Sequence, residues 1–126
     1  MWQCGSALLR GRSLSNAAVL HFHQQFNNGQ YDQIADQADE GFGATGRREQ
    51  LFEFLKAVDR KLGPAGDTKL ININVKAGTS GTFVTCVYNT DFARGKAVET
   101  FTWKKGVSGE LKLYGYHIQS NELVLR

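Results

Sequence analysis

One carboxylate in this chain stands where it could do chemistry. Glu99 lies in the run KAVETFTWKK, and strand alternation sets it on the same side as Phe101 and Trp103. A carboxylate on an aromatic face is stripped of water and calls for hydroxyl or imidazole donors around it. The same arrangement serves a general base or an ordinary buried hydrogen bond. The donors that neighbouring strands could bring are Thr90, Tyr88, Tyr116 and His117. The candidate catalytic residues are therefore Glu99, Tyr116 and His117, and the candidate ligand-binding surface is Tyr88, Glu99, Phe101, Trp103 and Tyr116. His117 sits near the end of the last run, where a polar side chain beside a pocket mouth also has a purely structural use.

The other reactive types are set out less favourably. His21 and His23 are two apart on a helix, about 200° round the axis, so they cannot chelate one ion together and read as surface or boundary residues. Asp32, Asp36 and Asp39 form a solvated face with no fixed coordination geometry. Cys4 and Cys86 have no metal-ligand spacing, and free thiols are expected, Cys86 as a small core residue. Gly41-Phe42-Gly43-Ala44-Thr45-Gly46 matches the dinucleotide fingerprint, but that fingerprint must follow a buried strand and here it follows an acidic helical segment. It reads as a helix-to-helix loop. No Ser/His/Asp or Cys/His arrangement is recognisable, and neither a cofactor nor a metal is expected.

Helices come first. In SLSNAAVLHFHQQF, Leu14, Ala18, Phe22 and Phe26 recur every four residues with Val19 beside them, and Ser13 or Ser15 could cap the start. Asn27-Asn28-Gly29 stops this helix. Tyr31, Ile34, Ala35 and Ala38 define a short second one. The third has Thr45 as N-cap, an apolar stripe of Leu51, Phe54, Leu55, Val58 and Leu62, and Gly63-Pro64 as its end. Residues 1–12 are expected to be a flexible arm and residues 13–126 a single domain.

From Asp67 the period changes to two, and four runs separated by Gly-containing turns read as an antiparallel meander. With Gly78 to Gly81 as the first loop, Val75 faces Val84, Ile73 faces Cys86 and Ile71 faces Tyr88. With Arg94-Gly95 as a two-residue turn, Phe92 faces Ala97, Thr90 faces Glu99, Tyr88 faces Phe101 and Cys86 faces Trp103. Both hairpins put one apolar set on one face, and a one-residue slip would turn it to solvent. The other face is Thr-rich, interrupted by Phe83, Val87 and Val98, and suits a sheet-to-sheet homodimer. In the last run a bulge near Gly115 puts Leu111 and Leu113 on the core side with Tyr116 and Ile118, and it is preferred because it buries more apolar surface.

Composition bounds the rest. The 126 residues are 41% hydrophobic and 21% charged, enough for one core. No apolar run approaches the roughly 20 residues of a membrane helix, so no membrane span is expected. A net charge of +3 is too small to indicate nucleic acid. The acid-free start MWQCGSALLRGRSLS has a transit-peptide composition but also suits an untidy terminus; the chain reads as cytoplasmic as written, and as exported if a leader precedes it.

Three helices followed by a four-stranded meander, with FHQQFNNGQYDQIADQAD, GTFVTCVYNTDFARGKAVETFTW and LKLYGYHIQS along it, resemble the nuclear transport factor 2-like superfamily over about residues 17–120. They look most like its small uncharacterised bacterial domains. The resemblance implies an α+β cone, a curved sheet wrapped on a helix with a pocket at the open end, and dimerisation through the sheet. It also implies a bacterial source, secreted, lipid-anchored or encoded on a mobile gene cassette. In enzymatic members an acid-base residue projects into the cone, and Glu99, Tyr88, Tyr116 and His117 could correspond here. The expected function is a dimeric binding module for a partner or a small apolar or aromatic ligand. The alternative is a cofactor-independent acid-base enzyme, isomerase- or dehydratase-like, with Glu99 as base and a tyrosine as donor; it requires Glu99 to line an open cavity.

Overall fold

The computed structural model describes residues 2–39 and 47–121, the side chains of 2–11 and 47 excepted. Three helices, α1 (Trp2–Asn27), α2 (Tyr31–Gln37) and α3 (Arg47–Leu62), precede four strands, β1 (Ala65–Gly78), β2 (Gly81–Phe92), β3 (Gly95–Lys105) and β4 (Leu111–Gln119). The strands form one antiparallel sheet in the order β1-β2-β3-β4. The helices pack on one face of it, the α+β architecture of a nuclear transport factor 2-like fold.

The helix α1 starts well before the serines that could have capped it. Ser13 and Ser15 lie in its interior, and the residues read as an arm are helical from Trp2 onward. Its buried stripe is Ser15, Val19, Phe22, His23 and Phe26, while Leu14 is exposed. Gly29 ends the turn after it at φ 73°, a backbone state that glycine adopts without strain. The buried residues of α2 are Ile34 and Ala35. On α3, Leu51, Leu55, Val58 and Leu62 are buried and Phe54 is exposed. The proposed Thr45 cap and the glycine run 41–46 fall outside the described residues.

The end of α3 sets a register that strand patterning missed. Gly63, at φ 79°, lets the chain turn so that Arg94 N donates to Leu62 O at 2.8 Å and Ala93 N to Pro64 O at 3.0 Å. The Arg94 guanidinium donates to the carbonyl of Arg60 at 2.7 Å, satisfying an orphan acceptor at the helix end. Ala93-Arg94, not Arg94-Gly95, is therefore the two-residue turn. Phe92 pairs with Gly95, Thr90 with Ala97, Tyr88 with Glu99 and Cys86 with Phe101, two residues from the expected register. A slip of two preserves the face of every side chain, so the buried set is unchanged.

Two irregularities shape the sheet. In β1, Val75 pairs with Val84 and Ile73 with Cys86 as expected, but the register shifts between Leu70 and Asn72. Leu70 takes the place opposite Tyr88, and Ile71 is 52% exposed. In β4, Trp103 pairs with Leu113 and Thr102 with Gly115, leaving Tyr114 as the extra residue. This is the preferred bulge: Leu113 and Ile118 are buried, and Tyr114 turns out to meet the Phe83 ring at 5.0 Å. The core between helices and sheet is dense in rings, with Phe22 edge-on to Phe101 at 5.0 Å and Phe101 stacked on Trp103 at 5.5 Å.

Candidate functional site

Glu99 is fully buried, and its carboxylate is surrounded by donors from three elements. Thr90, on β2, donates to Oε1 at 2.7 Å. Tyr116, on β4, donates to Oε2 at 2.5 Å. His23, on α1, brings Nε2 to within 2.7 Å of Oε1 and donates there when that nitrogen carries the hydrogen. Burial, and then the charge and hydrogen bond of Glu99, push the Tyr116 phenol well above its usual range, so Tyr116 remains a donor at neutral pH. Rings close the surroundings: His23 lies edge-on to Phe92 at 6.3 Å and Phe101 at 6.1 Å.

A second polar cluster lies along the same helix. Ser15 Oγ is 2.8 Å from Cys86 Sγ and 3.0 Å from the Tyr88 hydroxyl, which donates to Asn16 Oδ1 at 2.6 Å. Burial raises the Cys86 thiol pKa, with the hydrogen bond from Ser15 acting against it. Cys86 is free, a buried core thiol as expected. Burial pushes the Tyr88 phenol up to about 12, with Arg12 acting in the opposite direction.

Between these clusters a cleft of about 510 Å³ runs along the flank of α1 beside β1. The helix contributes Arg12, Asn16, Leu20 and Gln24, the strand Thr68, Lys69 and Leu70, and His23 and Tyr88 also line it. Asn27 closes one end, donating to Ala65 O at 2.9 Å and accepting from Ala65 N at 2.8 Å, as a neighbouring strand would. A larger hollow of about 620 Å³ at the ends of β2, β3 and β4 holds Asp91, Lys96 and Gln119 and meets the Glu99 cluster only through Thr90. Of the two clusters, His23, Tyr88 and Asn16 reach the cleft beside α1.

The anticipated residues are thus divided. Tyr88 lines the cleft; Tyr116 binds Glu99; Phe101 and Trp103 are buried in the core, Trp103 bordering an apolar cavity of about 110 Å³ with Phe22 and Leu113. Glu99 lines neither the cleft nor the hollow. His117 is exposed opposite Thr100, on the face away from the cluster. His23, read as a surface or boundary residue, is buried and central. Its signal was present, because it follows Val19 by four and precedes Phe26 by three within the buried stripe. Among the described residues, no group of three or more His, Cys, Asp or Glu could hold a metal ion, and no helix is long and apolar enough to cross a membrane.

The fold has counterparts among solved bacterial structures. ActVI-ORFA from Streptomyces coelicolor superposes with a TM-score of 0.53 at 13% identity, over 87% of this chain and 94% of that one. A protein from Catenulispora acidiphila gives 0.57 at 13% identity over 99% of both chains. Bd1075 from Bdellovibrio bacteriovorus gives 0.54 at 15% identity, over 86% of this chain and 41% of that one. No family model and no curated protein matches the sequence. At such identities the likeness is one of fold.

Proposed function

We propose that the chain is a small-molecule-binding module whose ligand occupies the cleft between α1 and β1. One observation carries this reading: two polar side chains, His23 and Tyr88, line a single cleft, each anchored by a separate hydrogen-bonded cluster. Held side chains at a concavity of this size are the usual equipment of a binding site. A ligand-observed NMR fragment screen tests it. Hits that bind the wild type and are lost in Leu20→Glu, which fills the cleft with charge, are expected; hits indifferent to that change would overturn it.

The module works as a homodimer through the outer face of the sheet. Support comes from Phe83, Val87 and Val98, partly buried among threonines there, and from Tyr114, which extends the apolar surface beside Phe83. Light scattering at micromolar concentration is expected to give twice the 14.0 kDa of one chain. A single-chain mass would contradict the dimer.

A second function is favoured by the position of His23 alone. Glu99 is sealed from both the cleft and the hollow, which removes the support for Glu99 itself as base. His23 is oriented by that carboxylate and also lines the cleft, the arrangement of a general base held by a buried acid. In this acid-base alternative His23 takes the proton, and Tyr88 becomes the donor when the ligand displaces Asn16 from its hydroxyl. Exchange of a bound ligand's acidic C–H with deuterated solvent, catalysed by the wild type and absent in His23→Gln, would be its signature. Equal exchange in both would exclude it.

A further inference from the structure

We infer that the ligand of the cleft is a small organic anion, a carboxylate or sulfonate carrying an apolar body. The inference rests on the cleft being the binding site and specifies what that site selects. Two cations, Arg12 and Lys69, line it, and no Asp or Glu is among the described residues that do. The single buried carboxylate nearby, Glu99, is engaged by Thr90, Tyr116 and His23, so little uncompensated negative charge opposes an incoming anion. Neither Arg12 nor Lys69 forms an ion pair with a described residue, whereas Arg48 pairs with Asp36 and Lys96 approaches Asp91.

The two cations come from the two walls of the cleft, Arg12 from α1 and Lys69 from β1. Arg12 lies one turn before Asn16, which accepts from the Tyr88 hydroxyl at 2.6 Å and also lines the cleft. An anionic head beside Arg12 meets a guanidinium, which suits the planar fork of a carboxylate, and the Lys69 charge adds to the positive field of the cleft. The apolar body is indicated by Leu20, which is 60% exposed in the middle of α1 at the wall of the cleft, with Leu70 across from it. An aliphatic or aromatic body lying between these leucines would cover a side chain that the fold leaves bare. Toward the floor, a polar substituent meets His23 and Tyr88.

Two fluorescent probes separate this inference from the reading beneath it: anilinonaphthalene sulfonate and its uncharged parent, N-phenylnaphthylamine. Both are titrated into the full chain, into the double variant Arg12→Gln/Lys69→Gln, and into Leu20→Glu, with circular dichroism confirming that each variant is folded. The sulfonate is expected to bind about tenfold more tightly than the parent, the worth of a charge-assisted contact. That advantage should disappear in the double variant and shrink with added salt, while the parent's affinity is unchanged. Equal affinity of the two probes, with both lost in Leu20→Glu, would overturn the anion preference and leave the cleft standing. Probe binding that survives Leu20→Glu, or no binding of either probe, would remove the cleft and the inference together.

Discussion

The Glu99 cluster and the cleft beside α1 are neighbours joined through His23, yet they use polar groups in opposite ways. Around Glu99, each carboxylate oxygen has at least one donor within 2.7 Å, contributed by α1, β2 and β4. A charge so enclosed is stable only as part of a complete set, because a buried polar group left alone costs far more than a bond contributes. In the cleft, Arg12, Gln24, Thr68 and Lys69 meet open space, and the apolar Leu20 is 60% exposed. The contrast separates what holds helix to sheet from what is free to meet a ligand. A carboxylate conspicuous in sequence belongs to the first group, and the second is made of ordinary surface types.

The largest effect should come from opening the closed cluster. Glu99→Ala leaves three donors unsatisfied and a void among rings, and is expected to cost about 3–5 kcal/mol in urea denaturation. Glu99→Gln retains the shape and should cost less. A loss for Glu99→Ala no greater than that of an exposed substitution would break the distinction between the two regions.

His23 joins them, so its substitution should be intermediate. His23→Gln removes one donor from Glu99 and part of a ring packed on Phe92 and Phe101, and about 1–3 kcal/mol of stability should go with it. The same variant should alter probe binding in the cleft. A change in stability with no change in binding would assign His23 to the closed cluster alone.

Alkaline pH sharpens the comparison through one tyrosine on each side. The folded-state pKa of Tyr88 is raised from 10.0 to about 12, and that of Tyr116 well above 10.0. The folded protein therefore keeps phenol protons that the unfolded chain releases. The resulting stability is complete below pH 10 and is lost as pH rises toward the folded values, by about 1.4 kcal/mol per pH unit for each phenol. Urea midpoints measured between pH 9 and pH 12 should fall most steeply from about pH 10, with the raised Cys86 thiol adding a loss that begins near pH 9. Tyr31, raised to about 12 by burial and Asp59, adds to the same loss, so the fall should be reduced but not abolished in Tyr88→Phe; a constant midpoint in the wild type would contradict the raised phenols.

The smallest effect belongs to the cleft itself. Leu20→Ser and Lys69→Gln should each change stability by less than about 0.5 kcal/mol, as exposed substitutions do. A large loss for either would show that the cleft wall helps to hold α1 on the sheet.

How far these features were legible follows from their physical origin. The faces of β2 and β3 could be read from alternation even though the turn was misplaced by one residue, because the register slipped by two and parity survived. The turn itself could not, since Ala93 and Arg94 are fixed by carbonyls at the end of α3, a partner strand patterning does not contain. The bulge in β4 was legible because Leu111 and Leu113 reach the core side only with an extra residue. Ile71 was not, because the β1 irregularity has no glycine or proline to mark it. Glu99 and its tyrosine follow from strand alternation alone, whereas His23 follows only from the spacing of the buried α1 stripe, which the His21–His23 pair does not share. The cleft combines residues 12–27 with residues 65–70 and 88, segments whose meeting depends on the path of α1 across the sheet.

Ligands are expected to meet the flank of α1 and not the Glu99 cluster or the sheet ends. Backbone amide shifts recorded while anilinonaphthalene sulfonate is added measure this directly. The largest changes are expected at Asn16, Leu20, Gln24, Thr68, Lys69 and Leu70, with Asp91, Lys96 and Gln119 undisturbed. Changes centred on Asp91, Lys96 and Gln119, with α1 silent, would contradict it.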